Sequence, residues 1–359
     1  MIQSPRIFLI NCGSETHLSD VALLRDVGFA VPHQYSSWCV KSQPSTWKWC
    51  RAIDERDQLI TGFAIKIEKS GAIPGGKIAH IERFGRVLHA QPDIDPGYML
   101  QQSTKGIPGL ERLVVEIFDE DEARRESIIR SIELAGARRQ HLARQYSRTL
   151  FVDLRESDEQ LLASFDRSTR RDIAATEKHG GFVHPVDGPQ YIKRLKSLHD
   201  ESFQRTGGTP PSVDIDAMMR DAADKQGSVL LGVFWPGKSS PEDLVAFAWA
   251  RLHGDIVSYD IGASERSEEI GRTPLSYVLL WEIFRWARRR NALWVDLGGV
   301  IAADESPDHP LHGISAFKRR FSKDQRTVGA ELWFEPLNIF SLMANTNRWL
   351  ARRFGLLKS

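Results

Sequence analysis

Phe317-Lys318-Arg319-Arg320, with Phe321 one residue further on, places an amine among aromatic rings and guanidiniums. An ammonium in such a setting polarises an ester carbonyl or stabilises the oxyanion that develops on it. The plain alternative is a basic segment on a surface helix. Asp296 ends the apolar run Trp294-Val295-Asp296 shortly before Gly298-Gly299. It suits a base, and equally an aspartate that binds turn amides. Arg170 and Arg171 adjoin at the start of a helical segment, where paired guanidiniums and helix N–H groups can hold a phosphate. The same pair fits a solvated helix face. Arg205 stands just before the loop Gly207-Gly208-Thr209-Pro210-Pro211, which can present it to an anion or simply carry it at the surface.

Other chemistries lack their residues. There is no G-x-S-x-G, H-E-x-x-H, Walker or dinucleotide motif. His141, His179, His199, His309 and His312 show no metal-ligand spacing, so no metal is expected. A phosphate cradle of the acyl-CoA type needs backbone N–H groups at close approach. The stretch 265–275, ERSEEIGRTPL, holds a single glycine, Gly271, and Pro274 removes one donor.

These residues need a scaffold, and the chain is long enough for two domains, with 359 residues that are 41% hydrophobic and 26% charged. Lys and Arg number 48 against 47 acids, which excludes a strongly basic, polyanion-coating protein. Cys12, Cys39 and Cys50 are odd in number and unpaired in spacing, the pattern of buried free thiols in a reducing compartment. The N-terminus has no basic start followed by an apolar core, and no apolar run reaches the ~18 residues of a membrane span. A cytoplasmic setting is expected.

Alternation and punctuation give the elements. Residues 59–69 and 77–88 read as strands around the turn Ile73-Pro74-Gly75-Gly76, and 111–118 as another strand. Residues 119–136 read as a helix with Ile128, Ile129, Ile132 and Leu134 inward and Gly136 as its stop. In the second half, strands are expected at 148–154, 227–235, 292–299 and 329–336, and a strand pair over 244–264 folded at His253-Gly254-Asp255. Ser157 and Gln160 have capping-box spacing ahead of a helix. Residues 168–179 give a second helix, and Thr273-Pro274 opens a long third one with Leu275, Val278, Leu279, Ile283 and Trp286 on one face. The reading is mixed α/β (α+β) in both halves, with domains at 1–150 and 151–336 and an amphipathic helix over 337–359.

Taken in order, residues 148–335 resemble the Fem-type aminoacyltransferases of peptidoglycan bridges and their acetyltransferase-like relatives. The resemblance lies in T-R-R-x-I at 169–173, S-F-Q-R-T-G-G at 202–208, S-Y-D-I-G-A-S at 258–264, D-L-G-G at 296–299 and F-K-R-R-F at 317–321. The opening Q-Y-S-S-W-C-V-K at 34–41 is similar to the family's first-lobe pattern. The resemblance implies two tandem acetyltransferase-like (GNAT) domains with an acceptor site between them and, here, no coiled-coil arm. It implies transfer of an aminoacyl group from aminoacyl-tRNA, as donor co-substrate rather than bound cofactor, to an amine of a peptidoglycan-type precursor that is nucleotide-linked or lipid-linked.

By the same resemblance, Lys318 and Phe317 act at the donor ester, Arg205 contacts an acceptor diphosphate, and Tyr259 lines the cleft. Lys41 is the counterpart of a first-lobe phosphate contact, and Arg170 with Arg171 matches a pair taken as anion-binding. An acyl-CoA-dependent N-acyltransferase in polysaccharide or small-molecule synthesis is the alternative enzyme. Residues 151–359 carry 28 Lys and Arg against 29 acids, so tRNA phosphates would have to be met by local clusters at 288–290, 318–320 and 352–353. A third reading is a non-catalytic interaction or membrane-surface protein. The tail from Leu337 mixes Phe340, Trp349, Leu350 and Phe354 with Arg348, Arg352 and Arg353, which suits either peripheral membrane association or packing on the second lobe.

Overall fold

Apolar runs bounded by turn residues become strands, and apolar positions at helical spacing become helices. The structure, a computed structural model, describes residues 5–26, 46–85, 94–140, 147–205, 213–223, 225, 227–235, 239–302, 308–309 and 311–353. Two units divide the chain: residues 1–147 together with 327–359, and residues 148–326.

The first unit opens with β1 (Arg6–Asn11), α1 (Glu15–Asp26), β2 (Trp47–Ile53), β3 (Leu59–Lys69) and β4 (Lys77–Gly85). It continues through α2 (Pro96–Lys105), β5 (Leu110–Phe118), α3 (Glu122–Leu134) and the short β6 (Arg138–Arg139). The second unit contains β7 (Arg148–Asp153), α4 (Asp158–Ser164), α5 (Arg167–Lys178), β8 (Phe182–Pro185), α6 (Ile192–Arg205) and α7 (Ile215–Ala222). After these come β9 (Ser228–Phe234), β10 (Leu244–His253), β11 (Ile256–Ser264), α8 (Leu275–Arg289), β12 (Trp294–Gly299), α9 (His312–Lys318) and β13 (Asp324–Thr327). The chain then returns to the first unit as β14 (Gly329–Phe334) and α10 (Ile339–Arg353).

Each unit is built on a seven-stranded sheet. The orders are β1-β2-β3-β4-β5-β14-β6 and β13-β7-β12-β11-β10-β9-β8. The two share a plan: an antiparallel meander, β2-β3-β4 or β9-β10-β11, then a parallel neighbour, β5 or β12, with a helix intervening in sequence. A parallel step cannot be made by a tight turn, which is why α2 and α8 lie between those strands. Next to the parallel strand comes an antiparallel one, β14 on β5 and β7 on β12.

The cores are separate. Trp49, Phe63 and Phe84 are fully buried in the first, with the Trp49 indole N–H donating to Asp20 at 2.9 Å. In the second, α8 buries Leu275, Leu279, Ile283 and Trp286 among Val257, Val295 and Leu297, as its spacing predicts. Each such side chain contributes about 1.5–3 kcal/mol.

Three expectations need correction. The strand 329–334 belongs to the first sheet, not to the second lobe, because it hydrogen-bonds along β5 from Gly329–Phe118 to Phe334–Leu113. The tail helix likewise packs on the first unit, where Asn338 donates to the Leu110 carbonyl at 2.9 Å. Leu134, expected inward, is 84% exposed because the last turn of α3 runs past the core that Ile128, Ile129 and Ile132 enter.

Candidate functional site

The parallel pair of the first unit stays joined from Lys77–Leu110 to Gly85–Phe118, whereas in the second β11 and β12 pair at just three positions, ending at Ser258–Asp296. Sequence causes this parting. Gly298 has φ +76°, a left-handed conformation suited to glycine, and it coincides with a register shift between β12 and β7. On β11 a bulge opposite Trp249–Ala250 inserts Asp260 as an extra residue. Asp296, Gly298, Tyr259 and Lys318 meet at this point.

Asp296 is fully buried. Its Oδ1 accepts the Gly298 N–H at 2.8 Å and the Thr149 hydroxyl, whose oxygen also lies 3.0 Å from the Gly298 carbonyl. It therefore binds the turn amide and also places a negative charge beneath Lys318. Lys318, at the end of α9, is 7% exposed and donates from Nζ to the Gly299 carbonyl at 2.9 Å. Burial draws its pKa from the ordinary 10.5 to about 8, against the opposing pull of Asp296. An amine so poised donates hydrogen bonds as an ammonium at neutral pH and gives up its proton at mildly alkaline pH. A Cβ on residue 298 would lie 3.3 Å from Lys318 Nζ and 3.3 Å from the Tyr259 carbonyl, so the glycine also makes room for the amine.

Phe317 packs edge-on against Tyr277 at 5.0 Å and Phe321 at 5.5 Å. Its ring thus seats the helix that carries Lys318 against α8. Tyr259 lies half-buried on β11 with its hydroxyl over Gly262, where a Cβ would come within 2.1 Å of it. Burial pushes the phenol up to about 12, so it remains a hydrogen-bond donor.

Arg205 ends α6 and donates to the Ser264 carbonyl at 3.0 Å and to Ser202 at 3.3 Å. Burial first and the neighbouring Arg266 second lower its pKa, with Glu201 opposing. Two guanidiniums thus adjoin at the far end of β11, about 16 Å from Tyr259 at 3.3 Å per residue. Arg266 escaped the sequence reading, although its place two residues after a strand end was a usable signal. Thr149 escaped too, and nothing in its strand marks it beyond an inward alternation.

The arginine pair divides. Arg170 donates from Nη1 to the carbonyls of Ala163, at 3.1 Å, and of Phe165, closing the C-terminus of α4. That use gives one of its nitrogens a structural role. Arg171 points outward, its side chain 76% exposed beside Asp172 at 3.2 Å. Thr273 does not cap α8: its hydroxyl meets His179 Nδ1 at 3.1 Å, and Pro274 takes the cap position without a side-chain bond. Lys41, the candidate in the first lobe, lies outside the described residues. Cys12 and Cys50 are free and buried, with both thiols pushed up by burial. Among the described residues no group of His, Cys, Asp and Glu is placed to hold a metal, and no helix is long and apolar enough to cross a membrane.

Two tandem acetyltransferase-like units, one of them with a buried lysine where its parallel strands part, define the class. No family model and no curated protein matches the sequence. Solved structures do match. A crystal structure of FemX aligns with TM-score 0.69 at 14% identity over 96% of this chain and 99% of that one. The C-terminal domain of a putative lysylphosphatidylglycerol synthetase from Agrobacterium fabrum aligns at 0.50 and 13% identity, covering 93% and 97%. A tandem GNAT protein from the clavulanic acid biosynthesis pathway aligns at 0.50 and 10% identity, covering 93% and 100%. The chain has the Fem-like tandem GNAT fold.

Proposed function

We propose that this chain is an amide-forming acyltransferase that moves an aminoacyl group from aminoacyl-tRNA to an amine of a peptidoglycan-type precursor. The observation that carries the reading is Lys318, a buried amine held by Gly299 where β11 and β12 part. The fold shared with FemX over nearly the whole of both chains supports it.

In this reading the acceptor amine, having lost a proton, attacks the ester carbonyl carbon. The carbon–nitrogen bond forms, the ribose oxygen leaves with its electron pair and takes up a proton, and an amide results. The ammonium of Lys318 donates to the carbonyl oxygen as its charge grows, and a buried site makes that bond stronger than it is in water. Tyr259 is a second donor on the facing strand. Arg205 with Arg266 holds the phosphates of a nucleotide-linked or lipid-linked acceptor.

A second reading, acyl-CoA as donor, would place its phosphates at the start of α8, where the Gly271, Thr273, Leu275 and Tyr277 N–H groups already donate to nearby carbonyls. There Gly271 (φ +59°) precedes a helix whose first N–H groups have no side-chain cap. One assay separates the two: purified protein with a nucleotide-sugar peptide acceptor and either charged tRNA or acetyl-CoA, with the amide product followed by mass spectrometry. Product from charged tRNA, reduced at least a hundredfold in Lys318→Met, is expected. Product from acetyl-CoA alone would move the assignment to the second reading, and equal rates in Lys318→Met would remove Lys318 from the chemistry.

A further inference from the structure

Helix α10 is held by one face and leaves another bare. On the inner side Ser341 and Ala344 are buried, Ser341 donates to the Glu111 carbonyl, Asn347 donates to the Ala72 carbonyl at 3.1 Å, and Arg348 pairs with Glu111 at 3.5 Å. Most of the large side chains left outside are apolar, with Thr346 and, at the helix end, Arg353 exposed among them. Ile339 is 65%, Leu342 68% and Trp349 55% exposed, and Met343 and Leu350 are exposed beside them. At 100° per residue these five fall within an arc of about 120° on the side opposite Ser341 and Ala344. Leu337, just before the helix, is fully exposed as well. A monomer rarely leaves so many large apolar side chains on one stripe without a partner.

The surroundings of the stripe are cationic. A recess of about 660 Å³ beside it is lined by four arginines, 112, 138, 139 and 348, against the single carboxylate Glu335. That carboxylate is engaged from within by Arg112 at 2.6 Å and Arg348 at 3.5 Å. Arg138 and Arg139 are exposed on the edge strand β6, with Glu126 at 3.6 Å from Arg139. Arg353 lies over the Trp349 ring at 5.1 Å, an aromatic ring at the apolar border with a cation above it. Residues 337–359 contain three arginines and a lysine and no acid.

We propose that the outer face of α10 docks in the plane of an anionic phospholipid bilayer. Leu342, Met343 and Trp349 enter the boundary of the acyl chains, while Arg138, Arg139 and Arg353 meet the headgroup phosphates. Apolar residues on one arc, with arginines beside it and at the helix end, are what an interfacial helix presents to a lipid surface. A second copy fits poorly. A two-fold contact would set this face against itself, bringing the exposed Arg138, Arg139 and Arg353 of one copy toward those of the other, with Glu126 the acid beside Arg139. A nucleic acid backbone offers nothing to an outer row of Leu, Met and Ile.

The test is sedimentation of the full chain with vesicles of phosphatidylglycerol and phosphatidylcholine, and with vesicles of phosphatidylcholine alone. Binding to the anionic vesicles is expected, weakened at least tenfold by Leu342→Glu/Trp349→Glu and by raised salt, and near absent on the neutral ones. The substituted side chains are exposed, and an unchanged thermal melt confirms that the variant folds. A second variant, Arg138→Glu/Arg139→Glu, leaves the apolar face intact and is expected to lose the preference for anionic lipid. Equal binding of wild type and Leu342→Glu/Trp349→Glu overturns the proposal. So does a dimer that this variant turns into a monomer, since the face would then belong to a second copy. Vesicle binding is measured without turnover, so it stands or falls apart from the transfer chemistry.

Discussion

Replacing Lys318 by methionine should make the protein more stable at neutral pH while it disables the site. The ammonium is buried, and its pKa falls from 10.5 to about 8 on folding, so the folded state binds this proton less tightly than the unfolded one. At pH 7 both states are protonated, and the difference costs the folded state about 3 kcal/mol at 1.36 kcal/mol per pH unit. As pH rises from about 8 to 10.5 the folded amine is neutral while the unfolded one still holds its proton, and the cost disappears. Methionine has a similar stem and no charge. It forfeits the bond to the Gly299 carbonyl, which costs about 1–2 kcal/mol. The net gain at pH 7 is then about 1–2 kcal/mol. For a unit the size of 148–326 this raises the melting temperature by about 3–6 °C. Calorimetric scans of both proteins at pH 7 and above pH 10 check it. The variant should melt higher at pH 7, and its advantage should vanish or reverse at the alkaline end. A variant that melts several degrees lower at pH 7, or a gap that ignores pH, would refute the claim that this lysine is held against its own solvation.

Two further outcomes follow from the same geometry. Gly298→Ala puts a Cβ at 3.3 Å from the Lys318 amine on a backbone with φ +76°, so a loss of about 1–2 kcal/mol in urea titration and a marked fall in transfer rate are expected together. Arg170→Ala uncovers the C-terminal carbonyls of α4 and should cost about 1–2 kcal/mol in the same titration, whereas Arg171→Ala, on an exposed side chain, should leave the melt within about 0.5 kcal/mol of wild type.

The arginine pair shows where sequence reading stops. Arg170 and Arg171 are equivalent as letters, yet consecutive helix positions point about 100° apart, and one folds back on α4 while the other faces outward. The strand pair 244–264 was legible because its alternation and the His253-Gly254-Asp255 turn are local. Lys318 was legible because its aromatic and basic neighbours are adjacent in the chain. Its setting was not. The Thr149–Asp296 bond joins residues 147 apart, and Arg266, beyond the end of β11, adjoins Arg205, 61 positions earlier in the chain. The misplaced boundary has the same origin: alternation in 329–334 announces a strand but does not name the neighbour it will join, and that neighbour is β5.

That return has a consequence for synthesis. The N–H groups of Val328 and Gly329 both donate to the Ser147 carbonyl, at 2.8 and 3.2 Å, so the points where the chain leaves the first unit and re-enters it are side by side. The whole second unit is thus an insertion in a loop of the first. On the ribosome β5 emerges roughly 200 residues before β14, a wait of about 10–40 s at 5–20 residues per second. During that time the inserted unit can fold to completion, while the strand Leu110–Phe118 has one edge without its final neighbour. The half that is made first is the last to close, and its open edge is where a newly made chain is most exposed to mispairing.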